Sequence, residues 1–183
     1  SNKPLRQAYQ WHNIVPPTDV QTKLYNIMEA IDYIERECSY KNKKLIIRDL
    51  AQMDFMGSPI KSPSYEFRLA KILSKHFKVL RLGLVRHPID QWLSMKRTFP
   101  DFVMIPLDDY IHGYWEYSKQ IKEIGFVRYE DFTKNPKKQM QIICDKLRLQ
   151  VDWNFLVKWS NYNKVTGDTD RKISRGAGLN EIV

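Results

Sequence analysis

Hydrophobic residues along the chain recur mainly at helical spacing, every three or four positions, with polar residues between them. One such face runs from Val20 to Cys38 and predicts an amphipathic helix. Proline and capping residues mark the starts of others, as at Pro88 and at Asn135-Pro136. The further predicted helices are Tyr65–Phe77, the segment from Pro88 to Arg97, Leu107–Ile124, the segment from Asn135 to Leu147, and a turn or two at Trp153–Trp159.

Three short apolar runs are too short for helices and predict buried strands: Leu45–Ile47, Val79–Val85 and Phe126–Tyr129. Strands that alternate with longer helices are typical of a parallel sheet built from βαβ units. We therefore predict an α/β fold in which a parallel sheet is flanked by helices. Three strands are few for such a fold, so one or more further strands either lack a clear sequence pattern or are absent from the chain.

The composition favours one folded domain, 1–183, because hydrophobic residues make up 43% of the chain and five of them are tryptophans. The formal net charge of +9 favours an acidic partner. Nucleic acid, an anionic membrane surface and a polyphosphate cofactor would all suit it. The alternative is that the charge serves only solubility. Basic residues are scattered in short clusters, so we expect no nucleic-acid partner. No apolar run reaches the length of a transmembrane helix.

The two cysteines, Cys38 and Cys144, suit a reducing compartment, and we expect a cytoplasmic protein. A single disulfide between them is the alternative. Neither the cysteines nor the four histidines show the spacing of metal ligands, so we expect no metal.

Arg86 stands where the central predicted strand ends and a helix begins. Ligands of open α/β sheets bind at such strand ends, and the amides of a helix N-terminus favour anions. Ser94 follows eight residues later, so an arginine fork and a hydroxyl could hold one phosphate from two sides. From the residues alone, an ordinary strand–turn–helix with a surface arginine is the alternative.

The segment Val85–Ser94 resembles the 3′-phosphate-binding segment of sulfotransferases that use 3′-phosphoadenosine 5′-phosphosulfate (PAPS). The resemblance implies that Arg86 and Ser94 hold the 3′-phosphate of this cofactor. His87 is a departure, since the family more often has Asp or Asn after the arginine.

A second segment, Phe126–Phe132 followed by Asn135-Pro136, resembles a later sulfotransferase segment in which a strand ends in Tyr-Glu-Asp. The resemblance implies that Tyr129 approaches the adenine of the cofactor. The alternative is that Tyr129 is a core aromatic residue at a strand end.

The run from Leu45 to Leu50 resembles the strand that carries a lysine and, two residues later, a catalytic histidine in many cytosolic members. The match places Arg48 at the lysine and Leu50 at the histidine. Because Leu50 cannot accept a proton, either Asp49 or a residue outside the match is the base, or the chain lacks one. A salt bridge of Arg48 and Asp49 at the protein surface is the alternative.

Family members also close over the cofactor with a basic, glycine-containing C-terminal segment. A loose match implies phosphate contacts for Arg171, Lys172 and Arg175, with a solvated tail as the alternative. The N-terminal phosphosulfate loop of the family is not found before Lys44, and the glycines show no Walker-type spacing. We therefore expect a P-loop-like sulfotransferase fold whose first strand and loop lie upstream of Ser1 in the natural chain.

Taken together, the resemblance implies transfer of a sulfuryl group from PAPS to a hydroxyl or amine of a small-molecule or glycan acceptor. The product of the cofactor is adenosine 3′,5′-bisphosphate. The alternative from another class is a non-catalytic module of the same fold that binds a nucleotide or polyanion. A nucleotide kinase-like enzyme is disfavoured because the Walker loop is missing. Aromatic residues at Tyr9–Trp11 and Tyr110–Tyr117 could line an acceptor pocket or fill the core.

Overall fold

A computed structural model describes residues 27–56, 62–98 and 104–158. The chain divides into two compact units, one up to Asp49 and the other from Leu50 onward. Helices account for about 61% of the described residues, and two strands form a parallel sheet. The prediction of helices with a parallel sheet is therefore confirmed, while the complete sulfotransferase fold and the single domain remain predictions.

The first unit is built around helix α1, Ile27–Tyr40. Ala30, Ile34 and Cys38 recur on one face of the helix, are buried, and pack with Tyr33 and Leu45. This confirms the part of the predicted Val20–Cys38 helix that lies within the described residues. After α1 the chain turns back, and the Lys43 amide donates to the Cys38 carbonyl at 2.7 Å.

The predicted buried strand at Leu45–Ile47 is wrong. The segment is not part of the sheet, and Ile46 and Ile47 are 66% and 39% exposed. The turn at the end of α1 lays Leu45 alone against the helix, so one aliphatic residue of the run is covered and its neighbours face outward. An apolar run becomes a buried strand only where another strand pairs with it, and within the described residues none does so here.

The second unit contains the sheet. Its elements are α2 Gln52–Phe55, α3 Arg68–Leu73, β1 Gly83–Val85, α4 Pro88–Thr98, α5 Leu107–Ile124, β2 Phe126–Arg128, α6 Tyr129–Lys134, α7 Pro136–Leu147 and α8 Phe155–Lys158. The predicted helices α4, α5 and α7 are confirmed. The helix expected over Tyr65–Phe77 is shorter, the strand expected over Val79–Val85 keeps only its last three residues, and Tyr129 begins a helix instead of ending a strand.

The ends of helices α5 and α7 could be predicted because capping, proline and glycine residues mark them in the sequence. Helix α5 is preceded by Pro106, has acidic residues in its first turn, and stops at Gly125, whose φ of 94° favours glycine. At the start of α7, the Asn135 side chain accepts a hydrogen bond from the Lys138 amide at 3.1 Å, and Pro136 occupies the first turn.

Strands β1 and β2 pair in parallel, with Gly83 opposite Phe126 and Val85 opposite Arg128. The connection between them contains α4 and α5. Helix α5 lies close against β1, because a Cβ added at Gly83 would stand 2.5 Å from Cδ1 of Ile121. Glycine at this position therefore lets the helix approach the strand.

The core of the second unit lies where α2 and α4 meet α5. Phe55 and Tyr110 are fully buried, and Met56, Met95, Tyr117 and Ile121 complete the cluster of buried residues. The Phe55 ring stands edge-on to the Tyr117 ring, with centroids 5.5 Å apart.

A buried carboxylate holds α2 beside the start of α3. Asp54 is 6% exposed and accepts hydrogen bonds from Nε of Arg68 at 2.5 Å and from the Arg68 amide at 3.2 Å. The Tyr65 amide donates to the Asp54 carbonyl at 3.0 Å. These bonds satisfy a charge that burial would otherwise make costly.

Gly113 on α5 lies directly against the backbone of Phe55, and a Cβ there would collide with the Phe55 carbonyl oxygen. We expect Gly113→Ala to lower the free energy of unfolding by about 1–3 kcal/mol through overpacking, although alanine is favoured in helices by about 1 kcal/mol. Urea unfolding measures the difference. Glu123→Ala, at an exposed position of α5, is the control and should change stability little. Equal stability of Gly113→Ala and the parent would show that α5 and the Phe55 backbone can move apart at little cost.

Candidate functional site

The register of the sheet brings Arg86 and Tyr129 together. Each is the first residue after its strand, and Val85 is paired with Arg128. The Arg86 guanidinium carbon lies 5.2 Å from the centroid of the Tyr129 ring, which is a cation–π contact. Two residues that the sequence placed in one site are therefore neighbours at the carboxyl end of the sheet.

The residues that follow Arg86 and Tyr129, namely His87 and Glu130, are also in contact. The His87 amide donates a hydrogen bond to Oε1 of Glu130 at 2.7 Å, and Nε of Arg128 lies 3.8 Å from Oε2 of the same carboxylate. Glu130 thus ties the turn after β1 to the first turn of α6. This role of Glu130 could not be predicted, because a hydrogen bond to a backbone amide leaves no mark in residue spacing.

Three influences act on the Glu130 carboxyl. Partial burial raises its pKa, but the hydrogen bonds from the His87 amide and its own amide, with the charges of Arg128 and Arg86, outweigh burial. The pKa of Glu130 is therefore lowered, and the group stays ionised beside Arg86. Its charge helps to hold the arginine side chain at the strand end.

Helix α5 fixes the backbone at the end of β1. The Tyr117 hydroxyl donates to the Leu84 carbonyl at 3.3 Å, and the Tyr114 hydroxyl donates to the Arg86 carbonyl at 2.7 Å. Tyr110, Tyr114 and Tyr117 lie four and three residues apart, so they share one face of the helix. That spacing was visible in the sequence, but it did not reveal which carbonyls the hydroxyls would meet.

Three buried polar side-chain atoms have no hydrogen-bond partner among the described residues: Nε of Arg86, Nε1 of Trp92 and the hydroxyl of Tyr110. All three belong to the segment that runs from the end of β1 through α4 to α5. The arginine and tryptophan atoms can only donate. Of the three residues, Arg86 lies at the strand end, and its spare donor suits an acceptor such as an oxyanion.

Ser94 lies on α4, half-buried and two turns after Pro88. The predicted strand–turn–helix around Arg86 and Ser94 is thus present. Further along α4, the Lys96 ammonium lies 4.3 Å from the Trp92 ring centroid, which adds positive charge to this helix.

The other predicted site residues belong to the first unit or lie outside the described residues. Arg48 and Asp49 belong to the first unit, on an exposed segment, and the strand end that defined their predicted roles is missing. Arg171, Lys172 and Arg175 lie outside the described residues. The roles of all five remain predictions.

Among the described residues, no group of three or more His, Cys, Asp or Glu side chains could hold a metal ion. Cys38 and Cys144 are both free and buried, and burial raises the pKa of each thiol. None of the described helices combines the length and apolar character that crossing a membrane requires. Comparison with protein-family models, with curated proteins and with solved structures gives no match for this chain.

The lowered pKa of Glu130 makes a prediction about acid stability. A group with a depressed pKa in the folded state stabilises the protein above its ordinary value of 4.5, and this contribution is lost as the pH falls below that value. We expect Glu130→Gln to be less stable than the parent near neutral pH, with a difference that shrinks as the solution is acidified towards pH 3. Chemical unfolding across this pH range measures it.

Glu123→Gln, at an exposed position of α5, is the matched control for the loss of one carboxylate. Its stability should differ little from that of the parent at any pH. A constant difference between Glu130→Gln and the parent would mean that the charge of Glu130 does not stabilise the turn.

Proposed function

We propose that this protein is a PAPS-dependent sulfotransferase that holds the 3′-phosphate of the cofactor at the carboxyl end of β1. The main support for this proposal is an unpaired donor on the Arg86 side chain. Its Nε is buried without a hydrogen-bond partner among the described residues, at a strand end that is followed at once by a helix N-terminus. Strand end, helix amides and guanidinium together form the kind of place that binds phosphate.

The described residues fit the group. The unpartnered Nε of Arg86 would donate to a phosphate oxygen, and Ser94 on α4 would add a hydroxyl. Tyr129 is 47% exposed, so part of its ring remains open beside Arg86, where an adenine could stack. The hydrogen bond from Tyr114 to the Arg86 carbonyl and the bond between the His87 amide and Glu130 hold this turn in place before any ligand arrives.

When bound, PAPS supplies an activated sulfuryl group for transfer to a hydroxyl or amine of a small molecule or glycan. Arg86 would bind and orient the nucleotide, and positioning of this kind is a major source of rate enhancement. We propose that the Asp49 carboxylate takes the proton of the acceptor and that Arg48 stabilises charge on the departing phosphate. We place the protein in the cytoplasm, in keeping with its two free cysteines.

A second candidate is a non-catalytic module that binds a nucleotide or polyanion at the same strand end. The observation that favours it is the segment before Leu50. Arg48 and Asp49 are exposed and lie outside the described sheet, so the strand end that would make Asp49 a base is absent from the described residues, whereas the turn around Arg86 is held in place.

Arg86→Ala tests both candidates, because both need a bound anion. We expect the dissociation constant for adenosine 3′,5′-bisphosphate to rise by roughly 10- to 100-fold, the effect of losing a charge-assisted hydrogen bond of about 1.5–3 kcal/mol. Ser94→Ala should cost less, since one neutral hydroxyl is removed. Isothermal titration calorimetry measures both.

Arg81→Ala is the matched control for Arg86→Ala. Arg81 is an exposed arginine before β1, at the opposite end of the strand, so its removal changes net charge equally without touching the site. An equal loss of affinity in the two variants would mean that general charge, and not the Arg86 site, attracts the nucleotide. Unchanged affinity in Arg86→Ala would overturn the proposed site.

Asp49→Asn separates the two candidates. If the chain is an enzyme and Asp49 is its base, the variant should transfer sulfate roughly 10²–10⁴-fold more slowly while binding adenosine 3′,5′-bisphosphate as the parent does. Transfer of labelled sulfate to a panel of hydroxyl and amine acceptors provides the readout. Binding without transfer in the parent would favour the binding module, and unchanged transfer in the variant would exclude Asp49 as the base.

A further inference from the structure

The Glu130 carboxylate keeps acceptor capacity that the described residues do not fill. Its Oε1 accepts a hydrogen bond from the His87 amide at 2.7 Å, and its own amide is a second donor. Its Oε2 stands 3.8 Å from Nε of Arg128, which is beyond hydrogen-bond distance. An ionised carboxylate offers about four lone-pair positions and can only accept. Lone pairs of Glu130 are therefore left for a further donor.

A small ligand can reach this carboxylate from solvent. The Glu130 side chain is 14% exposed, and the side chains of Arg128 and His87, which contact it or adjoin its amide partner, are each more than half exposed. Tyr129, the residue before it, is also exposed. None of these residues belongs to the buried apolar cluster of the second unit. The carboxylate thus lies at the surface, where the sheet ends.

The hydrogen bond to the His87 amide also places Glu130 next to Arg86. His87 directly follows Arg86, and Tyr129, whose ring the Arg86 guanidinium contacts, directly precedes Glu130. Burial raises the pKa of Glu130, but the backbone hydrogen bonds and the charges of Arg128 and Arg86 lower it overall. An anion that accepts from Arg86 therefore binds beside a carboxylate that is ionised.

An ionised acceptor at an anion site distinguishes anions by the protons they carry. A phosphate monoester has a second pKa of about 6, and a neighbouring negative charge favours its protonated form. Such a phosphate can donate its remaining proton to Glu130 while its other oxygens accept from Arg86. Sulfate has lost both of its protons at this pH, so it can only accept. It would meet Glu130 as a repelling charge, and repulsion of the wrong ligand is a source of specificity.

We propose that Glu130 makes the Arg86 site selective for phosphate over sulfate, by accepting the proton that only the phosphate carries. The inference rests on the proposed function, because it takes the bound group to be the 3′-phosphate of PAPS. That cofactor has a phosphate at one end and a sulfuryl group at the other. Glu130 excludes the sulfuryl end from the Arg86 site, so the nucleotide binds in one orientation.

Competition binding in the full 183-residue chain tests the proposal. Inorganic phosphate and inorganic sulfate are each used to displace adenosine 3′,5′-bisphosphate near pH 6, at constant ionic strength. Phosphate should displace it from the parent at the lower concentration. In Glu130→Gln the preference for phosphate should fall by roughly tenfold, mainly because sulfate binds more tightly once an amide that can donate replaces the opposing charge.

Glu123→Gln, which removes one exposed carboxylate of α5, is the matched control and should keep the preference of the parent. Arg86→Ala shows where the anions bind, since it should weaken phosphate and sulfate together. A lower stability of Glu130→Gln cannot by itself produce the expected result, because partial unfolding would weaken the binding of both anions alike.

The parent provides a second measurement that needs no variant. Raising the pH from about 6 to about 8 removes the remaining proton of phosphate, so its preference over sulfate should shrink. The groups around Glu130 do not mimic this change. Arg86 and Arg128 keep their charge, burial and the charge of Glu130 raise the pKa of Tyr114 on α5, and a proton lost from His87 would weaken both anions alike.

The remaining outcomes each overturn a stated part. If the parent binds the bisphosphate but shows no preference for phosphate, or if Glu130→Gln or the higher pH leaves the preference unchanged, the role of Glu130 is wrong while the proposed function stands. Equal tightening of both anions in Glu130→Gln would show general repulsion and would contradict the selectivity. If the parent does not bind the bisphosphate, the proposed function fails and this inference fails with it.

Discussion

The parallel register of β1 and β2 is the constraint on which the candidate site depends. Because Val85 is paired with Arg128, the residues just beyond the strands meet in the same order, Arg86 with Tyr129 and then His87 with Glu130. A slip by one residue would turn every side chain of the strand to the other face and separate these pairs. The site is thus a continuation of the sheet beyond its last backbone hydrogen bond.

Helix α5 connects this site to the core of the second unit. Its buried face packs Tyr117 and Ile121 into the apolar cluster, and its tyrosine hydroxyls hold the carbonyls of β1 and the following turn. Gly83 and Gly113 allow close approach of the strand on one side and of Phe55 on the other. The same helix therefore determines both the stability of the unit and the position of the Arg86 backbone.

Features with local causes could be predicted from the sequence. The ends of α5 and α7 follow from Gly125 and from Asn135-Pro136, and the placement of Arg86 and Tyr129 follows from the strand ends that precede them. Features that depend on a distant partner could not. Leu45–Ile47 has the composition of a strand but pairs with none in the described part of the chain. Strand β1 has only three residues to pair with, because β2 is confined to Phe126–Arg128 between Gly125 and the start of α6. Likewise, the spacing of the α5 tyrosines does not name the carbonyls they meet.

The long connection between β1 and β2 also determines when, during folding, the candidate site can form. Two three-residue strands with α4 and α5 between them cannot pair through local contacts, and strands this short are not stable alone. Helix α5 can form early from its own backbone bonds, whereas the sheet must wait until β2 is present and docked. During synthesis, Arg86 therefore leaves the ribosome long before Tyr129 and stays without its aromatic neighbour until α6 has emerged. The contact between Arg86 and Tyr129 at the strand end is therefore made only after both strands have been synthesised.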